Sequence, residues 1–368
     1  MRIGIDCRLW NESGVGRYTR NLVFNLAKID KKNTYTLFVL SKDYKSVISQ
    51  MANGKWQIVK ADIRWHTLEE QIKFPSILNK ENLDLVHFPY FSIPIFYNKP
   101  FVITIHDLII NHFPTGKAST LPLPLYGLKI LGYKYIIRKA AEKAKKILTV
   151  SNATKEEIVD HLGVDRNKVV VTYEGVDRKL AVSSQKLLVK GKYFLSVGNA
   201  YPHKNIERLI DAFSNILSSK NSNIFLVLVG KENFFYKRLK EKVADMKLEK
   251  NILFFGEATD EELSKLYENA LALIMPSLME GFGLPALEAM ENRCLVLASD
   301  IPSLRETCQD TVVYFNPYNI QDIAQKMRDV YLNNIYHLSK KIDEGLARTK
   351  LFSWEKMVKE TLNVYNEG

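Results

Sequence analysis

The stretch that decides the fold of this chain is Glu280-Gly281-Phe282-Gly283-Leu284-Pro285-Ala286-Leu287-Glu288. It follows an apolar run typical of a buried strand, and Pro285 suits the first turn of a helix, where its missing N–H costs nothing. The two glycines let backbone N–H groups approach a ligand closely, and a helix N-terminus favours an anion. Carboxylates repel phosphate but accept hydrogen bonds from hydroxyls. Glu280 in the loop and Glu288 in the first helical turn therefore indicate a ligand that carries both hydroxyls and a diphosphate.

This stretch resembles the signature of the retaining glycosyltransferases of family 4, which have the GT-B fold. That signature has two glutamates around a Gly-Phe-Gly-Leu-Pro core, and the match across the core is complete. The resemblance implies that Glu280 binds hydroxyls of a donor sugar and that Glu288 binds the ribose of its nucleotide. It also implies donor binding by Phe282, Gly283 and Leu284. Taken without a ligand, the same segment is a strand, turn and helix whose glutamates only cap and solubilise it.

The length and composition indicate a soluble globular protein with two domains. A chain of 368 residues exceeds one typical core, and 46% hydrophobic with 25% charged residues is ordinary for this class. No apolar run of transmembrane length occurs, and the first residues resemble a strand more than a signal peptide. The three cysteines show no metal-binding or CxxC spacing, which suits a reducing cytosol. We expect a cytoplasmic location.

The net charge of +11 favours anionic partners. The densest basic stretch runs from Lys129 to Lys146, and aliphatic and tyrosine side chains alternate with its basic ones. A basic amphipathic helix of this kind can lie on an anionic membrane surface, which would make the protein peripheral to the membrane. A solvated helix face is the alternative. No zinc-finger, RNP or homeodomain pattern appears, so nucleic acid is not an expected partner.

Short apolar runs alternate with helical patterns, which predicts parallel sheets built from βαβ units. The predicted strands cover residues 2–6, 35–40, 57–60, 84–88, 101–105, 146–150 and 168–172, and then 193–197, 224–229, 252–255, 272–275, 295–298 and 312–315. The predicted fold class is α/β, with two doubly wound, Rossmann-like domains. Ligands of such sheets bind at the carboxyl ends of the strands, so two facing domains would place the site in the cleft between them.

The predicted domain boundaries follow from the two series of strands. Residues 1–175 form an N-terminal, acceptor-side domain, and residues 190–352 form a C-terminal domain that binds the nucleotide-sugar donor. The stretch 174–190 has no strong period and is interpreted as the linker. The resemblance implies that a C-terminal helix, residues 353–368, packs back on the first domain.

Ser13-Gly14-Val15-Gly16-Arg17-Tyr18 follows the first strand and leads into a helix. A Gly-x-Gly turn in this place can cradle phosphate, although an ordinary tight turn has the same pattern. A similar loop in family 4 lies against the donor diphosphate and the acceptor. The resemblance therefore implies that Gly14 and Gly16 bind the donor.

The strand at residues 101–105 ends in His106-Asp107-Leu108. A histidine at the carboxyl end of a strand is well placed to touch a substrate, although a lone histidine is more often structural. The Thr-Ile-His-Asp-Leu string is similar to that of the family, which implies that His106 contacts the donor sugar as a catalytic residue. His87 also follows a strand, and we expect it in the core or behind the site.

Gly198-Asn199-Ala200-Tyr201-Pro202-His203-Lys204-Asn205 follows the first strand of the second series. Lys204 can neutralise a diphosphate leaving group as its charge develops. The family pattern is Gly-x-x-x-x-Arg-Lys-Asn, so Lys204 and Asn205 match while His203 replaces the arginine. Many members also carry an arginine where this chain has Asn199, which we expect to bind the donor. The phosphate clamp then depends on Lys204, predicted to be catalytic, and on backbone donors.

One further departure follows the signature. The family usually has Ala-x-Gly-x-Pro-Val there, whereas this chain has Glu291-Asn292-Arg293-Cys294-Leu295-Val296, which concerns the helix end more than the site. No convincing Asp-x-Asp metal motif appears. We therefore expect no metal and no cofactor, with the nucleotide sugar as substrate.

The sequence thus predicts a retaining glycosyltransferase that moves a hexose from a nucleoside diphosphate sugar to a hydroxyl of a glycan or lipid-linked acceptor in cell-surface polysaccharide synthesis. The strings at residues 14–18 and 106–108 look most like those of mannosyltransferases, which favours GDP-mannose. UDP-glucose and other UDP or dTDP hexoses remain open. The alternatives are an epimerase or phosphorylase on the same architecture, and a non-catalytic nucleotide-sugar-binding subunit.

Overall fold

The computed structural model describes residues 1–12, 14–51, 56–113, 123–177, 188–217, 223–333 and 338–367. The chain divides into two compact units. The first unit comprises Met1–Gly175 together with Ser353–Gly368, and the second unit comprises Val176–Phe352. Most of the predicted linker, as well as Ser13, lies outside the described residues.

The first unit contains a seven-stranded parallel sheet with the order β3-β2-β1-β4-β5-β6-β7. Its strands are β1 (Arg2–Asp6), β2 (Thr34–Val39), β3 (Trp56–Lys60), β4 (Leu85–Phe88), β5 (Phe101–Ile105), β6 (Ile147–Thr149) and β7 (Val169–Val171). Its helices before the second unit are α1 (Gly14–Ile29), α2 (Ser41–Gln50), α3 (Leu68–Lys80), α4 (Ile109–His112), α5 (Leu123–Lys143) and α6 (Asn152–Leu162).

The central strands of this sheet are covered on both faces. Every residue of β4 and β5 is buried, and both strands are almost entirely apolar, without the alternation of a half-exposed strand. Their side chains join a core that includes Phe74 of α3 and Ile137 of α5. Burial of each large apolar side chain contributes about 1.5–3 kcal/mol, so this core holds the edge of the sheet on which the site residues lie.

The second unit contains a six-stranded parallel sheet with the order β10-β9-β8-β11-β12-β13. Its strands are β8 (Lys192–Val197), β9 (Ile224–Val229), β10 (Ile252–Gly256), β11 (Ala272–Met275), β12 (Val296–Ser299) and β13 (Val313–Phe315). Its helices are α7 (Ile206–Ser214), α8 (Phe234–Asp245), α9 (Asp260–Asn269), α10 (Leu284–Glu291), α11 (Pro302–Cys308), α12 (Ile320–Tyr331) and α13 (Leu338–Thr349).

The last helix, α14 (Trp354–Glu367), belongs to the first unit. It packs against α1, and its buried side includes Trp354, Met357 and Tyr365. The Tyr365 hydroxyl lies 2.6 Å from Nδ1 of His87 on β4. A hydrogen bond therefore ties the C-terminal helix to the centre of the first sheet.

Each sheet reverses its strand order between its first and fourth strands, which are β1 and β4 in the first unit and β8 and β11 in the second. At such a point the two connections leave in opposite directions and open a crevice at the carboxyl ends of the strands. The loops that follow these four strands are therefore the expected places for ligand-binding residues.

The α/β class and the predicted strands are confirmed, with boundaries that differ by one or two residues. Thr259 caps α9 through a capping box with Glu262, and the Thr-x-x-Glu spacing in the sequence is typical of this motif. Among the described residues, no helix is both long and apolar enough to cross a bilayer.

Two local predictions are wrong. The left-handed backbone of Gly283, with φ of 100°, sets the start of α10 at Leu284, so Glu288 is its fifth residue and lies in the second turn. The basic stretch does not form one helix as far as Lys146, because α5 ends at Lys143 and β6 begins at Ile147.

Candidate active site

The strongest candidate site lies where the strand order of the second sheet reverses. Strands β8 and β11 are neighbours there, and the loop after β8 carries Lys204 while the loop after β11 carries Glu280. The two loops are also joined by a backbone hydrogen bond of 2.7 Å from the Leu278 N–H to the His203 carbonyl. The topology thus brings together two residues that are distant in sequence.

Lys204 and Glu280 form a part-buried ion pair. The Lys204 ammonium donates to both carboxylate oxygens of Glu280, at 2.7 and 2.9 Å, and the Ser277 hydroxyl donates to the same carboxylate at 2.6 Å. The side chains are only 18% and 8% exposed. Burial alone would raise the pKa of Glu280, but the Lys204 charge and these hydrogen bonds outweigh it and lower the pKa. Glu280 is therefore an anion held next to a cation.

Asn205 fixes the position of Lys204. Its backbone is left-handed, with φ of 60°, and it caps the start of α7. Its amide nitrogen donates at 2.9 Å to the carbonyls of both Pro276, after β11, and Pro317, after β13. Three loops at the carboxyl edge of the sheet are thereby connected, which explains in physical terms why an asparagine follows the lysine.

His203 does not replace the charge of the arginine that the family carries. Burial and then the nearby Lys204 charge lower the pKa of His203 to about 4. The imidazole is therefore neutral near pH 7, and Lys204 supplies the positive charge of this loop. Asn199, the other departure from an arginine, accepts a hydrogen bond of 3.3 Å from the Tyr201 N–H, so its side-chain oxygen stabilises its own loop.

The glycine-rich turn between Glu280 and α10 is tightly packed. A Cβ at Gly283 would lie 2.6 Å from the Leu304 side chain, and its positive φ disfavours any other residue. The Phe282 ring is buried and meets Phe352 edge to face, with 5.5 Å between centroids. Phe282 therefore anchors the turn through its side chain, while Leu284, the first residue of α10, is half-buried.

Glu288 lies on the buried side of α10. Its carboxylate accepts a hydrogen bond of 3.1 Å from the hydroxyl of Tyr267 on α9, and the side chain is almost fully buried. Tyr267 was not among the predicted site residues. Its hydrogen bond connects the second glutamate of the signature to the neighbouring helix α9.

The glycines predicted at the start of the chain lie in the first turn of α1. A Cβ at Gly14 would meet nothing within 4 Å, whereas one at Gly16 would lie 2.6 Å from the Trp10 carbonyl oxygen and 2.8 Å from that of Leu9. Gly16 is thus required for the close approach of the helix to the preceding loop. Tyr18, two residues later, is fully buried.

His106 lies at the carboxyl end of β5, and both nitrogens of its ring contact an oxygen atom of the protein. Nε2 is 3.0 Å from the Pro89 carbonyl oxygen, and Nδ1 is 3.4 Å from a carboxylate oxygen of Glu174. The ring also packs edge to face against Tyr18, with 4.8 Å between centroids. Burial alone would lower the pKa of His106, but Glu174 and the Pro89 carbonyl raise it above the ordinary value. His106 is therefore stabilised as an imidazolium.

Glu174 was missed because it falls in the stretch that the sequence assigns to a linker. It comes shortly after β7, and β7 lies beside β6 in the same sheet as β5. A carboxylate that follows a strand of a parallel sheet reaches the edge on which His106 lies. This position was the signal that could have identified it.

His87 is a core residue, as expected. Its Nδ1 meets the Tyr365 hydroxyl and its Nε2 lies 2.8 Å from the Thr104 hydroxyl, which is itself 3.2 Å from the Tyr18 hydroxyl. Burial, followed by the charge of His106, lowers the pKa of His87 to about 3. The neutral imidazole thus belongs to a buried hydrogen-bond network that supports Tyr18, the neighbour of His106.

A pocket that sequence reasoning did not find occupies the point of strand reversal in the first sheet. Its lining comes from the loops after β1, β3 and β4 and from the start of α1, and consists of Asp6, Arg8, Leu9, Val15, Trp65, Pro89, Tyr90 and Ser92. Buried Arg8 pairs with Asp6 at 2.7 Å and with Glu70 at 2.6 Å, and its guanidinium lies 3.8 Å from the centroid of the Phe74 ring. Trp65 and Tyr90 thus give the pocket aromatic surface, and the salt-bridged Asp6 and Arg8 give it charged groups in fixed positions.

Comparisons with known proteins identify the family of the chain. The family model described as Glycosyltransferase Family 4 matches residues 13–180, and the model described as Glycosyl transferases group 1 matches residues 178–346. The O-antigen chain mannosyltransferase RfbU of Salmonella typhimurium is 30% identical over 253 residues, which cover 69% of this chain and 66% of that protein, slightly less than two thirds.

A second relative, the O-antigen chain mannosyltransferase B of Escherichia coli, is 28% identical over 300 residues, which cover 76% of this chain and 74% of the relative. Among solved structures, HepE of Anabaena in complex with UDP-glucose has a TM-score of 0.77 at 15% identity, with both chains fully covered. At this identity the likeness shows the shared fold, which is GT-B.

The contact between His106 and Glu174 predicts a measurable pKa. A histidine whose pKa rises on folding stabilises the folded state fully below its unfolded value of about 6.5, and this contribution is lost as the pH rises through the folded pKa. The Glu174→Gln substitution removes the negative charge that raises the pKa of His106, whereas burial still lowers it. The pKa of His106 is therefore expected to fall. Titration of the imidazole signals by NMR measures the change.

His87, with a pKa of about 3, is the internal reference, because it stays neutral above pH 5 in both proteins. An unchanged His106 titration in Glu174→Gln would show that Glu174 does not stabilise the imidazolium.

Proposed function

Because the chain belongs to glycosyltransferase family 4 and is a glycosyltransferase, we propose that it transfers mannose from GDP-mannose to a hydroxyl of a glycan or lipid-linked acceptor, with retention of configuration, in the synthesis of a cell-surface polysaccharide. The part-buried ion pair of Lys204 and Glu280 at the carboxyl edge of the second sheet is the observation that carries this proposal.

The pair matches the two parts of a sugar diphosphate. A lysine ammonium has three donors and a carboxylate has several acceptor positions, so neither group is saturated by the other. The remaining donor capacity of Lys204 suits the diphosphate, and the remaining acceptor capacity of Glu280 suits the sugar hydroxyls. Glu288, fixed by Tyr267, suits the ribose hydroxyls.

The transfer replaces one bond to the anomeric carbon by another. The bond from this carbon to the diphosphate oxygen breaks, and negative charge develops on the leaving diphosphate while the sugar gains oxocarbenium character. Lys204 stabilises that negative charge. The acceptor oxygen then forms its bond on the same face, and its proton goes to an oxygen of the departing phosphate, which leaves as GDP. In this scheme Lys204 supplies the charge, and we expect no metal requirement.

Support for mannose comes from the relatives. Both curated relatives described above are named as O-antigen chain mannosyltransferases. The solved structure of HepE holds UDP-glucose, so the fold also accommodates a uridine donor. We favour GDP-mannose because the sequence relatives share more of their residues with this chain than the structural neighbour does.

For the acceptor we propose the surface around the pocket of the first unit. Trp65 and Tyr90 provide aromatic surface that suits the apolar face of a sugar ring, and Asp6, held by Arg8, provides an acceptor for sugar hydroxyls. We further propose that His106 acts in its protonated form, since both of its nitrogens face acceptors.

Helix α5 supports an association with an anionic membrane surface. Leu128, Leu131 and Tyr135 are 55–66% exposed and lie on one side of the helix, since they are three and four residues apart. Tyr133 and Ile137 are buried and attach the helix to the unit. Exposed basic residues flank the apolar stripe, which suits contact with lipid headgroups.

The role of the Lys204–Glu280 ion pair in catalysis is tested by substitution of each partner. We expect Lys204→Met and Glu280→Gln each to lower kcat/KM by about 100-fold or more, because each removes a charged contact that strengthens in the transition state. Release of GDP from GDP-mannose, measured with EDTA present, follows the activity. Lys240→Met and Glu232→Gln break an exposed Lys–Glu pair of the same unit, 2.9 Å apart, and serve as matched controls. Wild-type kinetics in both site variants, with the fold intact by circular dichroism, would overturn the assignment.

The donor nucleotide is tested by thermal shift. Without metal, GDP is expected to raise the melting temperature more than UDP, dTDP or ADP at equal concentration. A ligand that binds only the native state stabilises it by about 2.7 kcal/mol at 100 times its dissociation constant. A selective rise with UDP would replace GDP-mannose by a uridine donor, and no response to any of the four would count against donor binding.

Membrane association is tested by co-sedimentation of the full chain with vesicles of phosphatidylglycerol and phosphatidylcholine at low salt. We expect binding that falls about tenfold in Leu128→Glu and Leu131→Glu, since each removes an apolar side chain from the bilayer and adds a repelled charge. Leu351→Glu, at a residue of similar exposure in the second unit, should bind like wild type. Equal binding of all variants, or none by wild type, would refute the role of α5.

A further inference from the structure

A cluster of three potential metal ligands lies on the first unit, on residues other than those proposed to bind donor or acceptor. His112 is the last residue of α4, and Glu157 and His161 are one turn apart on α6, which places them on the same side of that helix. Their side chains are 31–39% exposed, so an ion from solvent can reach them.

The ligand atoms are already close to the spacing of a metal site. His112 Nε2 lies 2.5 Å from Glu157 Oε2, and His161 Nδ1 lies 3.4 Å from the same oxygen. The three atoms all lie within 4.8 Å of one another, and the two rings meet edge to face with centroids 4.9 Å apart. Tetrahedral zinc with bonds of about 2.0–2.1 Å needs ligand atoms roughly 3.3 Å apart. Small side-chain rotations at this accessible surface are enough to reach that spacing.

The ligand chemistry selects the ion. Two imidazole nitrogens and one carboxylate oxygen suit zinc, whereas magnesium and calcium prefer oxygen ligands alone. Both histidines must coordinate as neutral rings. His161 Nδ1 is now 3.1 Å from the Glu157 carbonyl oxygen, so on binding it gives up that hydrogen bond and carries its proton on Nε2.

We propose that His112, Glu157 and His161 form a zinc site with one coordination position left for water. The ion would fasten α4 to α6. Because α4 begins directly after the His106-Asp107-Leu108 segment, it would stabilise the chain that follows the carboxyl end of β5. The role is structural. It is independent of the proposed donor chemistry, so it can fail while the proposed transfer holds.

The experiment uses the full-length chain without an affinity tag, freed of metal by EDTA and dialysis. Calorimetric titration with zinc chloride at pH 7.5 should show one ion per chain with a dissociation constant of about 10 µM or below. His112→Ala, His161→Ala and Glu157→Gln should each weaken binding at least about tenfold. Zinc should raise the melting temperature of wild type but not of the His112→Ala/His161→Ala double variant.

Glu156→Gln is the matched control, because Glu156 adjoins Glu157 on α6 but pairs with Arg166 instead. It should bind zinc like wild type. The proposal is overturned if wild type takes up no zinc at 100 times the expected dissociation constant, or if the double variant binds as tightly as wild type. In either case the cluster is only a set of hydrogen bonds between histidines and a carboxylate.

Discussion

The candidate site depends on the part-buried ion pair between Lys204 and Glu280. Two charges withdrawn from water cost free energy that their mutual attraction repays only with good geometry. Here the geometry comes from the sheet. Strands β8 and β11 are neighbours at the reversal of strand order. The loops that follow them are connected by the Asn205 side chain and by the hydrogen bond from the Leu278 N–H to the His203 carbonyl. The same arrangement that stabilises the pair places a cation and an anion side by side, which is the basis of the sugar diphosphate that we propose as donor.

In the first unit, too, charged residues lie in the loops at the reversal of strand order. Its strand reversal between β1 and β4 holds Asp6 and Arg8, and His106 lies one strand further along the edge, where Glu174 outweighs burial and raises the pKa of its imidazole. The network of His87, Thr104 and Tyr18 lies behind it and has a neutral histidine at its centre. The pKa values of these two histidines of one unit thus shift in opposite directions, because Glu174 outweighs burial at His106 whereas burial prevails at His87.

Local features of both units were predictable from sequence, because they depend on short-range periodicity. The strands, the capping box at Thr259 and the turn at Gly283 are of this kind. Contacts between distant residues were not predictable. Three such contacts each join separate elements of one unit: Glu174 with His106, Tyr267 with Glu288, and Glu70 with Arg8. The neutral state of His203 follows from burial, which the sequence of that loop does not reveal.

A double-mutant cycle on Lys204 and Glu280 tests most directly whether the pair acts as one unit. The cycle compares kcat/KM for wild type, Lys204→Met, Glu280→Gln and the double variant, with GDP-mannose and an octyl mannoside as the acceptor. The account predicts strong non-additivity, so that the double variant loses little more activity than either single variant. Losses that simply add would show that the two side chains act independently, and would contradict the central role of their ion pair.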